Sequence, residues 1–184
     1  MFEIAEPPSM PVSQAKDGDV GAWDTLLRHF RMPLFIYIFQ WVRNEQTSFD
    51  LVQETMLSAI RHIGGLQDEG KFGPWLFGIA HQKCIQFWRK QNREDDALQE
   101  FAEAPSDYEE DPRQTLIRRE KEVQFLRLLE DLPLPQRSVL VLYYIEEFSL
   151  EEIASITGVT LGTIKSRLHY ARKGFRDLWE RESL

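Results

Sequence analysis

From Leu161 onward the apolar residues Leu161, Ile164, Leu168, Ala171, Phe175 and Leu178 step by three and four without a fault, which predicts one continuous amphipathic helix. Just before it, Leu150, Ile153, Ala154 and Ile156 follow the same period. Ser149 and Glu152 stand at the spacing of a capping box, so a helix is expected to begin near Leu150. Gly158 supplies a left-handed or close-approach position that ends this helix, and Thr160 caps the next. The stretch from Ser149 to Arg176 therefore reads as two helices joined by a tight turn.

The N-terminal half carries the same period. Residues 1–12, with Pro7, Pro8 and Pro11, read as a tail. After the break at Asp17-Gly18-Asp19, a helical pattern runs through Trp23, Leu26, Leu27 and Phe30. Pro33 is expected to open a second helix through Phe35, Ile38, Phe39 and Val42. Ser48 is expected to cap a third, with Phe49, Leu51, Val52, Met56, Leu57 and Ile60 inward and Asp50, Gln53 and Glu54 outward. Gly64-Gly65 ends it, Leu66 to Gly73 forms a loop, and Pro74 starts a long helix with Leu76, Ile79, Ala80 and Phe87 inward. The expected fold is all-α. Two small helical domains, residues 13–92 and 120–182, are joined by an acidic flexible linker, residues 93–119, and the C-terminal domain is a helix-turn-helix.

Charge sharpens this picture. The formal net charge is −8, at first unsuited to a nucleic-acid binder. From Asn92 to Pro112, however, there are nine acidic residues and one basic, so the rest of the chain is neutral overall and the acidity belongs to the linker. From Val159 to Arg176 the basic residues are Lys165, Arg167, Arg172, Lys173 and Arg176, with no acidic one. At about 100° per residue, Gly162, Ser166, His169, Tyr170 and Lys173 face away from the apolar seam, flanked by the longer cations. Short polar groups at the centre suit base edges, and cations at the flanks suit phosphates. A solvated basic face is the plainer alternative, and the caps and turn weigh against it. In the long helix after Pro74, Trp75, His81, Lys83, Trp88, Arg89, Lys90 and Arg93 interleave aromatic and cationic groups, a mixture that suits single-stranded nucleic acid.

Cys84 is the only cysteine, so no intrachain disulfide can form and a reducing, cytoplasmic location is expected. The longest apolar run, Leu34 to Phe39, is far short of a membrane span, and the N-terminus has no signal pattern. His81-x-x-Cys84 offers two ligand-like residues on one helix with no second pair, so neither metal nor cofactor is expected. Glu146-Glu147 and Glu151-Glu152 are adjacent carboxylates that point to different sides of a helix, which suits capping and solvation better than catalysis.

The chain resembles bacterial RNA polymerase sigma factors of the extracytoplasmic-function type. The resemblance rests on FDLVQETMLSAIRHI (Phe49 to Ile63), on FGPWLFGIAHQKCIQFWRK (Phe72 to Lys90) and on the block from Leu132 to Lys173. Trp75, Leu76, Ile79 and Ala80 stand at the family's WL-x-x-IA core. The chain departs from the usual pattern at His81-Gln82, where an Arg-Asn pair is common, at Gln86 in place of Asp, and at Tyr170 in place of Arg.

The resemblance implies a non-enzymatic factor that binds core RNA polymerase, recognises promoter DNA and starts transcription of a stress- or signal-responsive regulon. It implies that Asp50, Gln53 and Glu54 grip the polymerase. It places Asp68, Glu69, Lys71 and Phe72 at the loop that captures a base of the melted downstream element, with Trp75, His81, Lys83, Trp88 and Arg89 alongside. The upstream element falls to Thr163, Lys165, Ser166, Arg167, His169, Tyr170, Arg172 and Lys173. An anti-sigma factor is a further implied partner. The alternative reading is a stand-alone dimeric helix-turn-helix regulator that binds duplex DNA without polymerase.

Overall fold

The computed structural model describes residues 10–97, 125 and 127–182. Among them the secondary structure is helical: α1 (Val12–Lys16), α2 (Val20–Val42), α3 (Glu45–His62), α4 (Phe72–Ala97), α5 (Leu134–Leu140), α6 (Leu150–Thr157) and α7 (Leu161–Glu182). Short 3-10 turns at Ile63–Gly65 and Glu69–Lys71 connect α3 to α4. A π-helical turn, Val141–Ile145, continues α5, and the amide of Glu146 reaches back five residues to the Val141 carbonyl.

The helix boundaries follow side-chain chemistry. Asp19 accepts from the amide of Ala22 and opens α2; Asn44 accepts from Thr47 and opens α3. Ser149 and Glu152 form a full capping box on α6, and Gly158 ends that helix at φ +68°. Thr160 accepts from the amide of Thr163 and opens α7. Left-handed backbone strains any residue with a Cβ, so Gly158→Val is expected to cost about 1–2 kcal/mol, read as a lower midpoint of urea unfolding.

Several boundaries differ from the sequence expectation. The fold begins inside the expected tail, because Val12 and Ala15 of α1 are buried. Pro33 does not open a helix: α2 runs through it, with Phe30, Leu34, Tyr37 and Ile38 buried on both sides of the missing donor. Ser48 is no cap; it is buried within α3 and donates to the Asn44 carbonyl at 2.7 Å. α4 begins at Phe72, two residues before Pro74, and its backbone continues to Ala97. Leu57 and Ile60, expected inward, are 51% and 42% exposed. Apart from its helical start at residues 93–97, most of the expected linker lies outside the described residues.

α2, α3 and α4 pack on one another, and α7 packs on α5 and α6. α4 also packs on α6, and α2 on α5. Buried residues from both halves, including Leu26, Leu76 and Phe77 on one side and Leu142, Ile153 and Ile164 on the other, form one continuous core.

Candidate nucleic-acid interface

Ile164, Leu168 and Ala171 anchor α7 in the core, which fixes which of its side chains face outward. Lys165, Ser166, His169, Tyr170, Arg172 and Lys173 are all exposed, and Tyr170 is 58% exposed with its ring 5.4 Å from that of His169. Three residues of the expected upstream set are engaged elsewhere. Thr163 pairs its hydroxyl with Thr160 at 2.9 Å within the N-cap. Arg172 donates from Nε to the Tyr144 hydroxyl at 2.7 Å, with its guanidinium 5.3 Å from the Tyr143 ring centre and 5.5 Å from that of Tyr144. Arg167 is half-buried and close enough to His81 to act on its charge.

On α4 the picture divides. Trp88 is 51% exposed, and Arg89 is exposed beside it. Asp68, Glu69 and Lys71 are exposed on the turn before α4, where Asp68 accepts from the Gly70 amide. Trp75 is half-buried against Phe72, and Lys83 holds Glu54 at 3.2 Å. Asp50, Gln53 and Glu54 are exposed along α3, so the outward row expected there is present.

Phe72 and His81 stand against the expectation that they meet a DNA strand. Phe72 is 3% exposed, because Trp23, Phe30 and Trp75 surround its ring. His81 is 5% exposed, and its Nδ1 accepts from the buried Tyr37 hydroxyl at 2.7 Å. Burial holds the His81 pKa down to about 4, and the Thr157 backbone accepts a hydrogen bond from the ring. Burial pushes the Cys84 thiol up to about 12, so the other half of the His81-x-x-Cys84 pair is core.

The contact between the two halves is the feature that sequence reasoning missed. Lys71 and Glu152 pair at 2.6 Å, and the lysine beside it holds the Glu152 carboxyl below its ordinary range. Arg43 pairs with Glu130 at 2.7 Å, and Arg137 donates to the Gln40 carbonyl at 2.6 Å. The Phe148 ring lies 5.2 Å from that of Phe77, edge to face, and packs over Gly73. One signal was available: Phe148 directly precedes the Ser149 cap, where an apolar residue normally packs on its own helix.

Two family models match the chain: Sigma-70 region 2 over residues 26–94 and Sigma-70, region 4 over residues 122–173. The ECF RNA polymerase sigma factor EcfG of Rhodopseudomonas palustris (strain TIE-1) is 34% identical over 164 residues, covering 89% of this chain and 84% of that protein. ECF sigma factor SigE of Mycolicibacterium smegmatis is 31% identical over 191 residues, covering 97% and 72%. Among solved structures, the sigma factor RpoE of Bartonella quintana, in complex with the anti-sigma factor NepR, superposes with a TM-score of 0.70 at 25% identity, covering 88% of this chain and 98% of that one. CnrH, in complex with the cytosolic domain of CnrY, shares the fold at a TM-score of 0.65 and 21% identity, covering 94% and 97%.

The chain belongs to the ECF sigma factors. It is a transcription initiation factor that binds core RNA polymerase and promoter DNA. The stand-alone regulator is not favoured, since a region 2 domain has no place in it. Among the described residues, no helix is long and apolar enough to cross a membrane.

Proposed function

We propose that α7 enters the major groove of an upstream promoter element with Ser166, His169 and Tyr170 toward base edges and Lys165 and Lys173 toward phosphates. The observation that carries this is the outward row itself: five exposed side chains on one helix whose opposite face is locked in the core. Arg172, held by two tyrosines, braces the helix on the π-helical turn. Asp68, Glu69, Lys71, Trp75, Trp88 and Arg89 line the path of the melted downstream strand. Phe72 and His81 support that surface from beneath. Asp50, Gln53 and Glu54, an acidic and polar row, meet a basic surface of the polymerase.

In this reading residues 13–92 and 120–182 are the two functional units and residues 93–119 their linker. The factor acts in the cytoplasm on a signal-responsive set of promoters and catalyses no chemistry of its own. The likeness to RpoE held by NepR supports an anti-sigma protein as a further partner.

Promoter binding by the holoenzyme over a salt series tests the assignment. Lys165→Ala and Lys173→Ala should each lower the salt slope by about one and weaken all promoters alike. Ser166→Ala and Tyr170→Ala should instead relax preference at one upstream position by about 1 kcal/mol, the low end for a single base contact. If all four bind and discriminate as the parent does, α7 does not enter the groove.

A further inference from the structure

The face of α4 that the proposed function gives to the melted strand is already occupied by the protein itself. α6 lies along α4, and the two helices border a cleft of about 720 Å³ lined by Trp75, Ile79, Gln82, Glu151 and Ser155. Glu152 takes Lys71 into an ion pair, and the Phe148 ring covers Gly73 where a Cβ would meet it at 3.3 Å. Thr157 binds His81 through its backbone, at a position where relatives commonly carry arginine.

The same contact hides domain four. The first helix of a helix-turn-helix crosses the DNA backbone while the second enters the groove. Here that first helix is α6, and domain two sits on it. A contact that holds Lys71, screens Trp75 and covers α6 withholds both nucleic-acid surfaces together.

We propose that the α4–α6 contact, with Phe148 and the Lys71–Glu152 pair, is an autoinhibitory clasp that keeps the free factor closed until core RNA polymerase draws the two domains apart. The proposal rests on the strand-binding reading of the α4 face. It adds that this chain blocks that face by itself, with a piece of its own domain four. Phe148 and Glu152 occupy the site as a ring and an anion, the two chemistries that a nucleotide would bring there.

The test uses the full chain with Gln82→Cys and Ser155→Cys, two residues on opposite walls of the cleft, bridged by a short bis-methanethiosulfonate that a reductant reverses. Native Cys84 is buried with its thiol raised to about 12 and stays unbridged. The free factor should bridge readily, and core polymerase should slow bridging at least tenfold. The bridged factor should lose open-complex formation at least tenfold and regain it on reduction. Glu152→Gln, which keeps a capping-box side chain but loses the ion pair, should lower bridging and raise binding of bubble DNA by the free factor several-fold. Equal bridging with and without polymerase, or full activity of the bridged factor, would overturn the clasp. Trp75→Ala in the reduced factor separates the two ideas: undiminished binding of bubble DNA would overturn the strand-binding reading, while bridging yield still reports closure.

Discussion

Phe77→Ala is expected to destabilise the protein by about 3–5 kcal/mol, measured by urea unfolding followed by circular dichroism. The ring is fully buried on α4, edge-on to Tyr37 at 5.6 Å and to Phe148 at 5.2 Å. Its removal therefore opens a cavity where the cores of both halves meet. Neighbouring side chains cannot close it, because Leu76 and Ala80 flank it on a helix fixed by its own burial. Phe148→Ala should cost less, since that ring is only half-buried and its loss is confined to the seam. A loss below about 1 kcal/mol for Phe77→Ala would mean that the ring is not in a close-packed environment.

The Phe77 position illustrates what the sequence makes legible. Helical period placed Leu76, Ile79 and Ala80 inward, and the caps at Ser149 and Thr160 appear where their spacing put them. These are local signals: a hydroxyl three residues from an amide, or an apolar stripe every turn. What the period did not separate is burial against another helix from burial against another domain. Phe77 was not singled out, because its role depends on Phe148, which is distant in the chain. Leu57 and Ile60 fall on the apolar side by period yet are exposed, because the stripe of α3 is wider than the surface that α2 and α4 cover. Their exposure beside Phe49 and Gln53 leaves an apolar groove next to the proposed polymerase-binding row.

Among candidate site residues, the same limit applies in reverse. Composition marked His81 and Phe72 as polar or aromatic groups near cations, which is a statement about neighbours in sequence. Depth decides their roles, and depth comes from Tyr37 on α2 for His81 and from Trp23 and Phe30 for Phe72. Arg172 is a related case. Its place on the basic stripe is as read, yet two tyrosines from the π-helical turn hold its guanidinium. No helical period announces a π-turn, since it is a local five-residue closure within an otherwise α-helical stretch.

Closure of the two domains is expected to weaken as pH rises toward 7, and Glu146→Gln is expected to abolish that dependence. Glu146 lies beside His29, Glu69, Phe72 and Glu152, where α2, the turn before α4 and α6 meet. Domain two supplies most of this burial, which pushes the Glu146 pKa up to about 7, and its Oε1 is buried without a hydrogen-bond partner. A carboxyl raised in the closed form contributes full stability to closure below its open-state pKa. That contribution is lost as pH climbs through about 7. Because water still reaches part of the side chain, the effect is discounted to about 2 kcal/mol, or roughly thirtyfold in the closed-to-open ratio. His81 works in the opposite sense at lower pH, since a histidine lowered to about 4 stabilises the folded form above its unfolded pKa and loses that contribution on acidification. The Gln variant separates the two, because it leaves His81, His29, Glu69, Glu152 and Lys71 in place and removes only the titrating carboxyl. Bridging of the Gln82→Cys, Ser155→Cys factor, normalised to a single-cysteine control at each pH, gives the closed fraction. The difference between the parent and Glu146→Gln should grow from about pH 4.5 to pH 7 and stay constant above, whereas parallel profiles would show that Glu146 is ionised in the closed form and plays no part in holding it shut.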